Sequence, residues 1–403
     1  MAQPNEELSM QLPRLIALVV GLVAVQASLG PVDGRAQGVE VVDGWFVVDG
    51  ERFFSRCIGY ETHTRPGQVP WIYEFDPGLI SLDLERIKSA GFNTIRTWGA
   101  LTEEELAVVQ NSGLKIIFGI WLDPQGDFGD PAFVSAALDH VRDVVSYTKN
   151  YDTIIGYVIM NEPLAEHIHD AGAGELVSLW TRAIDIIAAA HPGIPASVSN
   201  TIVGDFVRTD LFGFAAYNAY IYNPVTVTYT HGYSGFVDFL KTKRASNKPL
   251  VITEFGLSVS PAPYSEVYGY GGNTLEQQAD GDLFMYRSLI EGGAQGGCVF
   301  QYHDGWWKGG DATTHDPVAE EWFGLYHFNG SEPWLGTPRP AWSAFEEYNR
   351  AIITSPRTGQ IYKRVVPVEF FSSGAAASVR IESDGELLMD SPATEGWNTD
   401  EVS

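Results

Sequence analysis

Ile154-Ile155-Gly156-Tyr157-Val158-Ile159-Met160-Asn161-Glu162-Pro163 and Pro249-Leu250-Val251-Ile252-Thr253-Glu254-Phe255-Gly256 share one design: an apolar run that stops on a glutamate. Continuous apolar runs of this length, closed by proline or glycine, read as strands buried on both faces, as in a parallel sheet. Each carboxylate then sits at the C-terminal end of its strand. In a (β/α)₈ barrel all strands end at one face, so two glutamates far apart in sequence can meet across a single cleft.

Outward from these two strands the chain alternates strand and helix patterns. Upstream, residues 55–59 read as a first strand, 92–96 as a second and 115–121 as a third. Amphipathic helices lie between them at 81–91, ending on Gly91, and after Thr102, whose following Glu103, Glu104 and Glu105 suit a helix N-terminus. A long helix over 131–149 leads into the strand that ends on Glu162. Downstream, helices at 175–190, 235–244, 274–291 and 341–351 alternate with strands at 196–199, 213–218, 250–253 and 297–302. Eight βα units without a linker before residue 351 predict an α/β fold, a closed (β/α)₈ TIM barrel spanning 37–352. Ahead of it, Val39 to Phe54 carries two Asp-Gly turns between valine-rich and aromatic runs, a hairpin expected to close the bottom of the barrel. Beyond residue 353 the composition shifts, and β-like runs at 365–371 and 378–381 predict a short β-rich C-terminal extension over 353–403.

The 403-residue chain carries a formal charge of −26, which argues against nucleic acid or an anionic membrane as partner and leaves a neutral polymer compatible. Arg14 precedes an apolar run over residues 15–25, too short for a membrane span of about 20 residues. Residues 1–36 therefore read as a signal peptide with cleavage near 27 or 36, and the protein as secreted, periplasmic or on the cell surface. An uncleaved anchor is the alternative. The expected state is a monomer. Cys57 and Cys298 fall on the first and last barrel strands, which are neighbours when the barrel closes. Because a bridge demands particular Cβ geometry, two small buried thiols are the expected state.

Cleavage of a glycosidic bond needs a pair of carboxyl groups, one as proton donor and one as nucleophile or base. With Asn161-Glu162-Pro163 ending the fourth strand and Thr253-Glu254-Phe255-Gly256 the seventh, the chain from about residue 39 to 350 resembles the clan A retaining glycoside hydrolases. The resemblance implies Glu162 as acid/base, Asn161 as its substrate-contacting neighbour and Glu254 as nucleophile. It matches Arg96, at the end of the second strand, to the clan's arginine beside the nucleophile, where a fixed cation keeps a carboxylate ionised. Tyr220, in Asn218-Ala219-Tyr220, matches a tyrosine that hydrogen-bonds the nucleophile. That Asn-x-Tyr form is nearer to families 2, 17 and 72 than to family 5. After the eighth strand, Tyr302 and Trp306 are candidates for the clan's aromatic platform under the sugar. Asn218, Trp98 and Trp121 complete the expected substrate-binding set. The third strand ends in Trp121-Leu122-Asp123-Pro124, without family 5's histidine.

The implied activity is retaining hydrolysis of a β-linked glucan or related oligo- or polysaccharide, without cofactor or metal. Aromatics in the loops after the first, seventh and eighth strands, among them Trp71, Tyr73, Tyr264, Tyr270 and Trp307, suit stacking on pyranose faces along an extended groove. A glucanosyltransferase on the same site and a non-catalytic carbohydrate-binding barrel are the competing readings. A metal-dependent hydrolase would need His-x-His after the first strand, where Glu61-Thr62-His63 stands. Glu166-His167-Ile168-His169-Asp170 imitates a metal site but reads as a solvated loop.

Overall fold

A computed structural model describes residues 38–201, 209–223, 232–261, 268–357, 360–373, 378–383, 386–392 and 394–402. The signal peptide expected over residues 1–36, and Tyr264, lie outside the described residues. The described residues divide into two compact units, one within 38–349 together with Arg357 and the other within 350–356 and 360–402.

The larger unit opens with a three-stranded antiparallel sheet, β1 (Val39–Val42), β2 (Trp45–Val48) and β3 (Glu51–Phe53). Asp43 and Asp49 adopt left-handed φ values of 50° and 53°, each followed by a positive-φ glycine, as two-residue hairpin turns require. Eight parallel strands follow: β4 (Ser55–Gly59), β5 (Thr94–Arg96), β6 (Lys115–Gly119), β7 (Ile154–Asn161), β8 (Ala196–Thr201), β9 (Ala215–Asn218), β10 (Leu250–Phe255) and β11 (Gly296–Val299). They pair in sequence order, and β11 closes on β4. The fold is the (β/α)₈ barrel.

Local chemistry fixes the helices between them. Asp76 caps α1 (Pro77–Ser89), Thr102 and Glu105 form a reciprocal capping box on α2 (Glu103–Ser112), and Asp130 with Pro131 starts α3 (Pro131–Thr148). Gly113 ends α2 at φ 76°, a backbone shape that favours glycine. Two helices follow β7, α4 (Ala165–Ala171) and α5 (Ala173–Ala190); then come α6 (Gly232–Arg244), α7 (Leu275–Glu291), capped by Thr274 and Gln277, and α8 (Pro340–Tyr348).

The lower barrel interior is filled by Cys57, Ile117, Ile155, Val158, Ala216, Val251 and Cys298, with Phe46 and Val48 of β2 packed beneath. Phe46 meets Phe214 edge-to-face at 5.5 Å, so the N-terminal sheet does plug the barrel floor. Cys57 and Cys298 corrects an expectation. The two residues stand directly opposite each other on paired β4 and β11 and form a disulfide, Cα to Cα 4.1 Å. Proximity was expected from barrel closure; the direct Cys57–Cys298 register supplies the geometry that a bridge also demands.

Between β11 and α8 the sequence reads as loop, yet it holds a hairpin, β12 (Tyr326–Asn329) with β13 (Glu332–Pro338). The smaller unit contains more strand than its composition suggests. β14 (Ala351–Ser355), β15 (Val366–Ser372) and β18 (Gly396–Val402) make one antiparallel sheet, and β16 (Ser378–Ser383) pairs with β17 (Glu386–Pro392). No helix among the described residues is long and apolar enough to cross a membrane.

Candidate active site

The two glutamates share the C-terminal mouth of the barrel and line one cleft of about 410 Å³. Both strands that carry them lose regular register just before the carboxylate, β7 between Val158 and Asn161 and β10 between Ile252 and Glu254. Such irregularities re-aim side chains and recur beside active sites. Glu162 also sits at φ 49°, a left-handed conformation uncommon for a non-glycine residue, held by its amide donating to the Ser199 carbonyl at 2.9 Å.

Glu254 is surrounded by donors. Arg96, fully buried at the end of β5, donates through Nη1 to Oε1 at 2.6 Å. Trp98 Nε1 donates to the same oxygen at 2.7 Å, and the Tyr220 hydroxyl donates to Oε2 at 2.7 Å. The Arg96 guanidinium carbon lies 4.2 Å over the Trp98 ring, which fixes the indole against the cation. Both carboxyl oxygens of Glu254 therefore act as acceptors, one of them toward a cation.

Glu162 has a different environment. Asn218 Nδ2 donates to its Oε1 at 2.9 Å and to Asn161 Oδ1 at 3.1 Å, while Arg96 Nη2 reaches Asn161 Oδ1 at 2.6 Å. Asn218 is oriented from behind, its own Oδ1 accepting from Thr253 Oγ1 at 2.9 Å, and Thr253 in turn accepts from Ser199 at 3.0 Å. Burial, then the negative charge of Glu254, push the Glu162 carboxyl up to about 7, with the Asn218 hydrogen bond pulling the other way. One carboxyl is thus poised to hold a proton near neutrality while its neighbour accepts hydrogen bonds from three donors.

Of the remaining sequence candidates, Asn161, Asn218, Trp98 and Trp121 line the cleft. Trp121 is 45% exposed, leaving a ring face open at the mouth. Tyr302 and Trp306 are placed elsewhere. Tyr302 is buried and donates to Asp83 Oδ1 at 2.8 Å; that carboxylate, fully buried on α1, also binds Arg65 and Tyr60. The tyrosine satisfies a core anion and is not available as a platform. Trp306 is buried against His315, ring centroids 4.5 Å apart, with Trp322 stacked on the imidazole's other side at 3.5 Å. It builds the core of its own loop.

Cleft positions near the eighth strand are instead filled by Phe300, Trp307, Lys308 and Glu320, with Tyr222 and Tyr270 nearby. Glu320 and Lys308 form an ion pair at 3.3 Å, and Tyr270 donates to Glu320. Neither Glu320 nor Lys308 carries a sequence signal, because each sits on a single 3₁₀ turn, Ala319–Glu321 and Trp306–Gly309, too short for any periodicity to point inward.

Among the described residues, Asp304, His315 and His327 form a grouping with metal-ligand chemistry. Arg339 already spans both Asp304 oxygens at 2.8 and 2.7 Å, and His327 Nδ1 lies 3.0 Å from Oδ2. The carboxylate's charge is matched by the guanidinium, so the cluster reads as an anchor for the β11–β12 loop. Glu166, His167, His169 and Asp170 belong to the short helix α4 rather than a loop, with His169 and Asp170 exposed.

Neither a family model nor a curated protein matches this chain. Solved structures do. The β-glucuronidase of Ruminococcus gnavus superposes with a TM-score of 0.61 at 17% identity, over 77% of this chain and 53% of that one. A GH2 β-galacturonidase from Eisenbergiella tayi, bound to galacturonate, gives 0.60 at 16% identity over 78% and 54%. Lactobacillus rhamnosus β-glucuronidase gives 0.61 at 18% over 77% and 52%. The chain spans about half the length of these proteins, and at such identities the likeness is one of fold.

Proposed function

We propose that this chain is an exported, monomeric glycoside hydrolase that cleaves a β-linked glucan or related oligo- or polysaccharide with retention, through a covalent glycosyl-enzyme and without a cofactor. One observation carries the reading: two carboxyl groups of one cleft are made chemically unlike, Glu254 by three donors and Glu162 by burial beside it. Glycosidases among the fold neighbours support it. Their names speak of uronides, but at this distance the glycone's charge rests on the cleft's own residues.

In this mechanism Glu254 attacks the anomeric carbon while Glu162 protonates the departing glycosidic oxygen. Arg96, Trp98 and Tyr220 hold the nucleophile in place. Once the leaving group has gone, Glu162 is a carboxylate and takes the proton of an incoming water, whose oxygen displaces Glu254. The same group thus serves as acid and then base, and its raised pKa suits both steps near neutrality. Trp121, at the mouth, offers a ring face to a further sugar. The disulfide supports an oxidising exterior, as the export reading requires.

The test is trapping. A 2-deoxy-2-fluoro β-glycoside with a good leaving group should label the enzyme at Glu254, read by peptide mass spectrometry, and Glu254→Gln should abolish labelling and turnover. Anomer-resolved NMR of the first product should show the β form. Full turnover by the Glu254→Gln or Glu162→Gln variant, or an α first product, would end the assignment. Accumulation of longer oligosaccharides would identify transfer to sugar in place of water.

A further inference from the structure

The charges lining the cleft do not cancel. Arg96 is matched by Glu254 at 2.6 Å and Lys308 by Glu320 at 3.3 Å. Lys308 is further fixed by the Phe300 ring, its ammonium 4.4 Å from the centroid. Glu162 is set up to hold a proton. Glu61 remains, a cleft-lining carboxylate immediately beyond β4 and Tyr60. Among the described residues no cation stands within ion-pair distance of it; burial, and the charge of Glu254, push its carboxyl up from the ordinary range, while Lys308, the Trp307 N–H and Arg96 pull it back. The Trp307 indole N–H lies beside Glu61, short of a closed hydrogen bond.

A carboxylate and an indole N–H left without closed partners in a sugar-sized cleft are an acceptor and a donor awaiting hydroxyl groups. A glycone that brings its own carboxylate meets the opposite situation. It would share the cleft with Glu61 and Glu254, and Lys308, the cation lining that cleft, is already paired with Glu320. Like charges at short range in such a site are strongly unfavourable.

We infer that the cleft is selective for a neutral hexose and excludes uronic acids, with Glu61 as the specificity-determining residue that accepts hydroxyl protons of the glycone. This rests on the glycosidase reading for its substrate class, and it departs from the uronide-named enzymes that share the fold. Glu61 touches the bound sugar and takes no part in bond breaking.

Binding tests it without requiring turnover. Isofagomine and its C6-carboxylated, uronic form would be titrated calorimetrically into the whole chain. The neutral ligand should bind at least about 100-fold more tightly, since the uronic form differs from it by one charge of the same sign as the cleft's carboxylates. Glu61→Gln should shrink that ratio at least about tenfold. Glu320→Gln, which frees Lys308, should strengthen binding of the uronic form, and it serves as the second arm if the Glu61 variant fails to fold. Equal or tighter binding of the uronic ligand by the unaltered chain, binding of neither ligand, or a ratio unmoved in both variants would overturn the inference. Binding as expected with no hydrolysis of any glycoside would instead sink the hydrolase reading and leave the selectivity standing.

Discussion

Asn218, at the end of β9, donates a hydrogen bond to Glu162 at 2.9 Å from two strands away around the barrel. The same amide group ties Glu162 to Asn161 and, through Thr253 and Ser199, to the strand ends behind. With the charge of Arg96, this contact limits how far burial raises the Glu162 carboxyl.

Activity should therefore fall on the alkaline side as Glu162 loses its proton, with a limb in kcat/KM near pH 7. The sign follows from the role: a general acid is active only while protonated, and its protonated fraction drops above its pKa. Asn218→Ala removes a hydrogen bond that favours the charged form, so the limb should move to higher pH, with kcat about 10- to 100-fold lower from lost orientation. A pH profile of kcat/KM measures both. A limb that stays in place would remove Asn218 from this role.

Tyr220→Phe deletes the hydroxyl that donates to Glu254 Oε2 at 2.7 Å and leaves the buried ring. A hydrogen bond to a charged group is worth about 1.5–3 kcal/mol, which corresponds to a loss of roughly 10- to 150-fold in kcat/KM. Steady-state kinetics on an aryl glycoside reads it directly, with thermal melting as a control for folding. Wild-type kinetics in a folded variant would refute the contact's importance.

Asp282 is buried within α7, and that burial pushes its carboxyl well above the ordinary range, the Leu257 backbone amide opposing it. A pKa raised in the folded state means the folded protein holds a proton that the unfolded chain releases. Stability associated with that proton is complete below the unfolded carboxyl's value and declines as pH rises toward the folded one. Asp282→Asn cannot titrate, so from about pH 4 upward its melting temperature should gain steadily on that of the unaltered protein. Parallel Tm curves across that range would contradict the assignment of a buried, protonated Asp282.

The bridge between Cys57 and Cys298 closes a loop with a sequence separation of 241 residues. Replacing both cysteines by serine should lower stability by about 2–4 kcal/mol, by releasing the unfolded chain from that closure. Treating the native protein with a strong reductant under mild denaturation should reproduce the drop in Tm. Equal melting of reduced and oxidised protein would mean the bridge does not form.

The barrel was legible because its signals are local and repeated. Apolar β-branched runs at β7 and β10, the Thr102–Glu105 and Thr274–Gln277 capping boxes and the Asp-Gly turns at 43–44 and 49–50 each decide a few residues' backbone on their own. The candidate site was legible where a residue type stands at a strand end, as for Arg96, Asn161, Glu162, Asn218, Tyr220 and Glu254. It was not legible in the loop after β11. There Tyr302 and Trp306 look as suitable as Phe300 and Trp307, and the outcome turned on long-range partners, Asp83 for one and His315 for the other.

The sequence by itself determined the alternation of barrel strands and helices and that two glutamates finish strands of like character, since these follow from local propensity and period. Only the tertiary structure decided how the two carboxyl groups differ, that Cys57 and Cys298 are joined, and that Glu61, Lys308 and Glu320 enter the same opening. Those are consequences of barrel closure. A pKa, a bridge and a charge balance depend on distances between residues remote in the chain, and no local pattern encodes such distances.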